Sequence, residues 1–393
     1  GNQRAGRTVL ARLACCGLLL CSCDISSAAP YSFQSLGSVN GVTSYSSNAT
    51  ALSADGSVVA GRISGVGLPG QAFSWTQAGG MIGLGHLPGN PFGAGAHAIS
   101  ADGSIIVGED GSFPPNAFRW TAANGMTNLG DLPGGDTSGA AEGISADGSV
   151  IVGLNSSAKG LEAFRWTAAG GMVGLGALPG GTFNSQALAI SANGQVIVGS
   201  SSSTAGTQAY LWTAAGGMVG LGDLPSGQFN STAAAVSADG SVIVGYGSST
   251  KGPEAFRWTA ADGMVGLGYL HSGDASSYAR GVSADGSTII GDSGGTAFLW
   301  NVGGGMVDIK SVLLAHGVSA VAGWQLSVGA AISADGRTIA GTGFSPAGRS
   351  EAWVATIPEP GAAVLIICGA LILGLAKIHV AKAACAMVRR NQR

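Results

Sequence analysis

Apolar and polar positions alternate through the middle of this chain in short runs punctuated by glycine. In "EAFRWT" (162–167), Phe164 and Trp166 stand two residues apart and share one face of an extended strand, with Arg165 pointing the other way. Similar runs lie on either side, as "SVIVG" (149–153) and "GMVGLG" (171–176), and Asp-Gly, Gly-Gly and Pro-Gly pairs separate such runs. Asp-Gly flanked by apolar alternation predicts a hairpin, because glycine accepts positive φ and aspartate hydrogen-bonds the local backbone. Each unit therefore reads as four short strands: an Ala-rich segment ending in "ISADG", then "SVIVG", "EAFRWT" and "GMVGLG".

The unit recurs. The third-strand tryptophan falls at Trp75, Trp120, Trp166, Trp212, Trp258 and Trp300, and the turn residue of "SADG" or "SANG" at Asp55, Asp102, Asp147, Asn193, Asp239, Asp285 and Asp335. A period in the forties marks an array of supersecondary units, and four antiparallel strands per unit make a propeller blade. The chain ends separate a closed ring from an open solenoid. "YSFQSLGSVNG" (31–41) aligns with the fourth-strand segment "GMVGLGDLPSG" (217–227), while the last unit stops after "EAWVAT" (351–356) without a fourth strand. Seven of each strand type result when the N-terminal strand completes the last unit, which hides that edge. The expectation is an all-β fold: a seven-bladed β-propeller over residues 31–357, built from four-stranded repeats of about 46 residues. The last unit departs from the pattern, and its longer segment 306–333 reads as an extended loop anchored by Trp324.

Charge and cysteine divide the chain into a body and two flanks. Eight of the 18 basic residues but only two of the 21 acidic ones lie before residue 31 or after residue 357, leaving the body 10 basic and 19 acidic residues, a net of -9. Such a body does not bind nucleic acid, which needs clustered Lys and Arg. All six cysteines, at Cys15, Cys16, Cys21, Cys23, Cys368 and Cys385, are in the flanks. The body therefore has no disulfide, no Cys-ligated metal and no thiol nucleophile, and it is stabilised by packing alone.

The N-terminal flank reads as a signal peptide over residues 1–28: three arginines, an apolar run from Leu13 to Cys21, then small residues up to Ala29, with a cut near Ala28. Leu20 is bulkier than the residue that precedes a lipidated cysteine, which favours plain secretion over lipidation. In the C-terminal flank, Pro358, Glu359 and Pro360 precede the apolar run 361–376, and basic residues follow. Sixteen helical residues span about 24 Å against a hydrocarbon core of about 30 Å. Snorkelling of Lys377 and His379 extends the predicted transmembrane helix to 361–380. The positive tail then lies inside and the body outside.

A Pro-Glu-Pro motif, a membrane helix and a basic tail over residues 358–393 resemble the PEP-CTERM sorting signal of Gram-negative bacteria that make exopolysaccharide. The resemblance implies an exosortase-like partner in the inner membrane that removes the tail and delivers the body outside. Here Arg389 and Arg390 come some dozen residues after the apolar run 361–376, whereas the family's basic cluster abuts the helix. The repeat itself, "AFRW" followed by "GMVGLGxLPGG" and "AISADGSVIVG", resembles the HAF repeats of bacterial extracellular proteins, a family without an agreed biochemical activity. Glu162 and Glu254 stand where that family's name-giving His often lies.

The repeated residues read as structure: Phe and Trp of "AFRW" pack between blades, and each "SADG" aspartate forms a turn. Function must come from positions that break the symmetry. With the "AxxIS" strand innermost, the residue two before its Ile or Val points to the channel or its mouth. That position holds Thr50, His97, Glu142, Leu188, Ala234, Arg280 and Ala330. His97, Glu142 and Arg280 are thus the candidates for a polar ligand site on the axis. No metal or cofactor motif and no catalytic constellation can be assembled. The reading that follows is an exported, non-catalytic cell-surface or matrix protein that adheres to or binds extracellular polysaccharide. The alternative is a propeller glycosidase or lyase acting through the same three residues.

Overall fold

A computed structural model describes residues 30–358, apart from 40–41, 91–92, 112–114, 137 and 226–227. The predicted signal peptide, the motif residues Glu359 and Pro360 and the predicted membrane helix 361–380 lie outside the described residues, whereas Pro358 is described and buried. Among the described residues no helix is long and apolar enough to cross a membrane.

Every strand of the predicted unit forms, and the strands associate as antiparallel sheets in sequence order. Blade 3 illustrates the plan: Gly139–Ile144 pairs with Val150–Ser157, which pairs with Gly160–Thr167, which pairs with Gly171–Gly174. Blades 1 to 6 occupy residues 45–83, 94–128, 139–174, 180–222, 232–268 and 277–308. Blades 3 and 4 are further linked by one parallel bridge between Leu161 and Asn184. Blade 7 takes three strands from residues 325–356 and its outer strand, Ser32–Ser35, from the other end of the chain. Phe33 lies opposite Ala355, and Ser35 opposite Trp353.

Two features bind this closing strand. In blades 3 and 5, Glu162 and Glu254 accept a hydrogen bond from the backbone N–H of Gly176 and Gly268, at the end of the blade's own fourth strand. The equivalent Glu351 instead accepts from the Ser35 hydroxyl at 2.8 Å, so the repeat's own chemistry ties the two chain ends together. The second is the long segment of the last unit, which is not the expected extended loop. It contains a helix, Ile309–Ala315, and a 3-10 turn, Ser319–Val321. Asp308 caps the helix by accepting from the N–H groups of Lys310 and Ser311, and Ile309 and Leu313, one turn apart, are buried. Those side chains join Val321, Trp324 and Trp353 around Phe33, with the Trp324 ring edge-on to Phe33 at 5.2 Å between centroids.

The ring also closes through the turns. The N–H of Ala54 donates to the carbonyl of Ala101, Ala101 to Ala146, Ala146 to Ala192, Ala192 to Ala238, Ala238 to Ala284, Ala284 to Ala334, and Ala334 back to Ala54, all at 2.8–3.1 Å. These alanines belong to "SADG" or "SANG", so the turns form a hydrogen-bonded collar around one end of the axis. Within each turn the aspartate is an acceptor. The Asp147 carboxylate takes bonds from the hydroxyls of Ser145 and Ser149 and from the Ser149 N–H, and Asn193 takes the same two-sided set from Ser191 and Gln195.

The preceding serine hydroxyl, and then the N–H and hydroxyl of the following serine, hold the carboxyls of Asp102 and Asp147 down to about 2 from 3.8. A depressed folded-state pKa stabilises the fold above the unfolded value and loses that contribution as pH falls through the folded one. The melting temperature is therefore expected to stay level down to about pH 4 and to fall between about pH 4 and pH 2 as the turns protonate. A protein equally stable at both ends of that window would show that the turn carboxylates contribute nothing.

The core is divided accordingly: seven buried clusters among the described residues each straddle two neighbouring blades. Phe73, Phe118, Phe164, Phe256 and Phe298 are fully buried in them, and the tryptophan two residues on shares the same cluster.

Candidate functional site

The inner strands surround an axial cavity of about 540 Å³. Thr50, His97, Glu142, Leu188, Ala234, Arg280 and Ala330 all line it. The local reason is not simple alternation. In every blade the inner strand carries a β-bulge at this residue, between 49 and 51, 96 and 98, 141 and 143, 187 and 189, 233 and 235, 279 and 281, and 329 and 331. The extra residue of a bulge has no cross-strand partner and is re-aimed out of the ladder, here toward the axis.

A glycine opposite each bulge permits it. A Cβ on Gly61, Gly108, Gly153, Gly199, Gly245, Gly291 or Gly341 would stand 1.9–2.1 Å from a carbonyl oxygen of the inner strand. No side chain larger than hydrogen fits there, so the glycine that ends the second-strand run is a condition for the bulge.

Four of the seven axial residues are apolar or internally satisfied. Leu188, Ala234 and Ala330 are apolar, and the Thr50 hydroxyl donates to the Ala96 carbonyl of the next blade at 2.6 Å. His97 of blade 2 and Glu142 of blade 3 face each other, with Nδ1 and Oε2 3.0 Å apart, and Glu109 stands 4.0 Å from the other imidazole nitrogen. Burial pulls the His97 pKa down, but the adjacent Glu142 carboxylate, with Glu109, outweighs it and holds the imidazole above its ordinary 6.5. Arg280 of blade 6 is three blades away from this pair in either direction around the ring, and its Nε is engaged by Asp292.

The next tier outward, at the mouth opposite the collar, was not identified from the sequence. There the second strand places Arg62, Glu109, Leu154, Ser200, Tyr246, Asp292 and Thr342 across from Asn48, Gly95, Ala140, Gln186, Thr232, Tyr278 and Val328. Each residue in the first set directly follows the spacing glycine, so aligning the copies on that glycine and reading one residue further would have exposed the set. Two polar sectors result. One holds Arg62, His97, Glu109 and Glu142 on blades 1 to 3. The other holds Tyr246, Tyr278, Arg280 and Asp292 on blades 5 and 6, with the two tyrosine rings perpendicular at 5.0 Å and the Arg280 guanidinium 5.6 Å from the centre of Tyr278. Among the described residues no group of three His, Cys, Asp or Glu side chains is placed to hold a metal ion.

An all-β propeller with an open, charged axial mouth is the class of protein these features define. One similar solved structure agrees on the architecture. An oligogalacturonate lyase from Vibrio parahaemolyticus is similar over 84% of this chain and 98% of its own, with a TM-score of 0.52 and 10% identity. TolB from Acinetobacter baumannii is similar over 80% of this chain at 12% identity, with a TM-score of 0.43, and this chain spans 64% of its length. No protein-family model and no curated protein matches the sequence. At 10% identity the likeness to the lyase is one of fold alone.

Proposed function

We propose that this is an exported, non-catalytic propeller of HAF-repeat type that binds extracellular polysaccharide at its axial mouth. In this reading an exosortase-like enzyme recognises Pro358, Glu359 and Pro360 with the following helix in the inner membrane, and the body reaches the cell surface or matrix. The observation that carries the binding role is the broken symmetry of the bulge positions. Seven equivalent residues line one cavity, and the charged side chains of the set are His97, Glu142 and Arg280, on opposite sides of the axis. Scaffold alone asks for no such difference between copies, whereas a polyhydroxylated ligand needs convergent donors and acceptors in a concave site.

The test is affinity electrophoresis of the full-length protein in gels containing the producing cell's own polysaccharide. Retardation is expected, and Glu142→Ala is expected to weaken it about tenfold or more, the loss of a charged hydrogen bond, with the melting temperature little changed. Unretarded migration of the parent protein would remove the proposal.

The second reading is a glycosidase or lyase that uses the same residues. It is favoured by one observation, the 3.0 Å His97–Glu142 contact in the cavity, which could transfer a proton. The oligogalacturonate lyase shares this fold but lends no residue to the argument. New reducing ends, or the ultraviolet absorbance of an unsaturated sugar, would select this reading if Glu142→Gln abolished them.

A further inference from the structure

Acidic groups outnumber the arginines at the mouth. Asp292 takes the Nε of Arg280 and Glu142 faces His97, while the Arg62 side chain passes Gly95 and carries its guanidinium beside Gly70 and Gly93. The mouth thus sets Arg62 and Arg280 against the three carboxylates Glu109, Glu142 and Asp292, and protonation of His97 does no more than balance them. The body around this mouth carries a net charge of -9. A polyuronate carries a negative charge on every acidic sugar and needs an unopposed positive groove, which this arrangement does not provide.

The second polar sector has different complementarity. Tyr246 and Tyr278 form a half-buried perpendicular corner, and beside it Arg280 keeps its terminal amino groups for other acceptors because only Nε is bonded to Asp292. A perpendicular aromatic pair offers a ring face to the C–H face of a pyranose, while a fixed Arg–Asp pair offers both donors and acceptors to its hydroxyls. We infer that Tyr246, Tyr278, Arg280 and Asp292 form a subsite for a neutral sugar ring, and that the mouth selects neutral glycans over polyuronates. The inference rests on the glycan-binding reading and specifies its ligand class.

The experiment measures binding of the full-length protein to soluble galactan and to polygalacturonate by affinity electrophoresis at low and high salt. Galactan is expected to bind with little dependence on salt, and polygalacturonate at least about tenfold more weakly. Tyr278→Ala is expected to weaken galactan binding about tenfold, and Tyr278→Phe to retain it, since the ring and not the hydroxyl is used. If Tyr278→Ala fails to fold, Arg280→Gln in the same sector, whose amide can still donate to Asp292, is expected to weaken galactan binding in a protein that still folds. Tighter binding of polygalacturonate that collapses in high salt would overturn the neutral-sugar inference and leave the glycan-binding proposal standing. Binding of neither polymer, nor of the cell's own polysaccharide, would overturn both. Galactan binding unaffected by Tyr278→Ala and by Arg280→Gln would overturn the subsite alone.

Discussion

Gly153→Ala is expected to destabilise the protein by about 3 kcal/mol or more, out of proportion to the single methyl it adds. The new Cβ would lie 2.0 Å from the Ala140 carbonyl oxygen and 2.9 Å from the Phe164 ring. Neither neighbour can yield. The inner strand packs against the next blade, and Phe164 is fully buried in the cluster between blades 2 and 3. The informative control is Gly171→Ala. That glycine has φ +65° with open space around it, so the change costs only the left-handed backbone preference, about 1 kcal/mol. Chemical denaturation of both variants checks the claim, and equal costs would refute the close-approach account. Because Glu142 is the bulge residue of the inner strand that Gly153 faces, Gly153→Ala is also expected to weaken glycan binding, whereas Gly171→Ala leaves it unchanged.

Phe33→Ala is expected to cost about 3 to 5 kcal/mol and to open the ring at a specific place. Phe33 is only 9% exposed, sits on a four-residue strand and packs against Trp324 and Trp353. The same deletion inside a blade, as in Phe118→Ala, removes a similar packed area but leaves all four strands joined by short turns. The two variants should therefore differ in how they open. In Phe33→Ala the N-terminal segment is expected to become sensitive to protease well below the global transition, while Phe118→Ala is cleaved only as the whole domain unfolds. Cleavage near the N-terminus no faster than in the parent protein would show that the latch around Phe33 does not control closure.

Much of the fold was legible because the signals that specify it are local. The alternation in "EAFRWT", the Asp-Gly turns and the period of the tryptophans depend on residues close together in the chain, and the seven units appear where those signals place them. The strand swap at the ends was legible for a related reason: "YSFQSLG" has no partner in its own neighbourhood, and "EAWVAT" lacks a fourth strand. The helix 309–315 escaped that reading because it is held by two anchors, Ile309 and Leu313, and by an Asp308 cap, too few positions to show a helical period. Its apolar face has meaning only against Phe33, some 280 residues away.

The site divides in the same way. The sequence by itself determined which residues occupy the axial positions, because those follow from register within the repeat. It also determined that His97, Glu142 and Arg280 are the charged members of the set. Only the tertiary structure decided how they are presented. Each is a bulge residue aimed at the axis, and the bulge exists because the facing glycine lets a carbonyl approach closer than any Cβ would allow. Only the ring geometry brought His97 of one blade to Glu142 of the next, set Tyr246 beside Tyr278, and paired Arg280 with Asp292. Those contacts cross from strand to strand and blade to blade, and the distances that govern charge pairing and stacking are fixed by packing rather than by spacing along the chain.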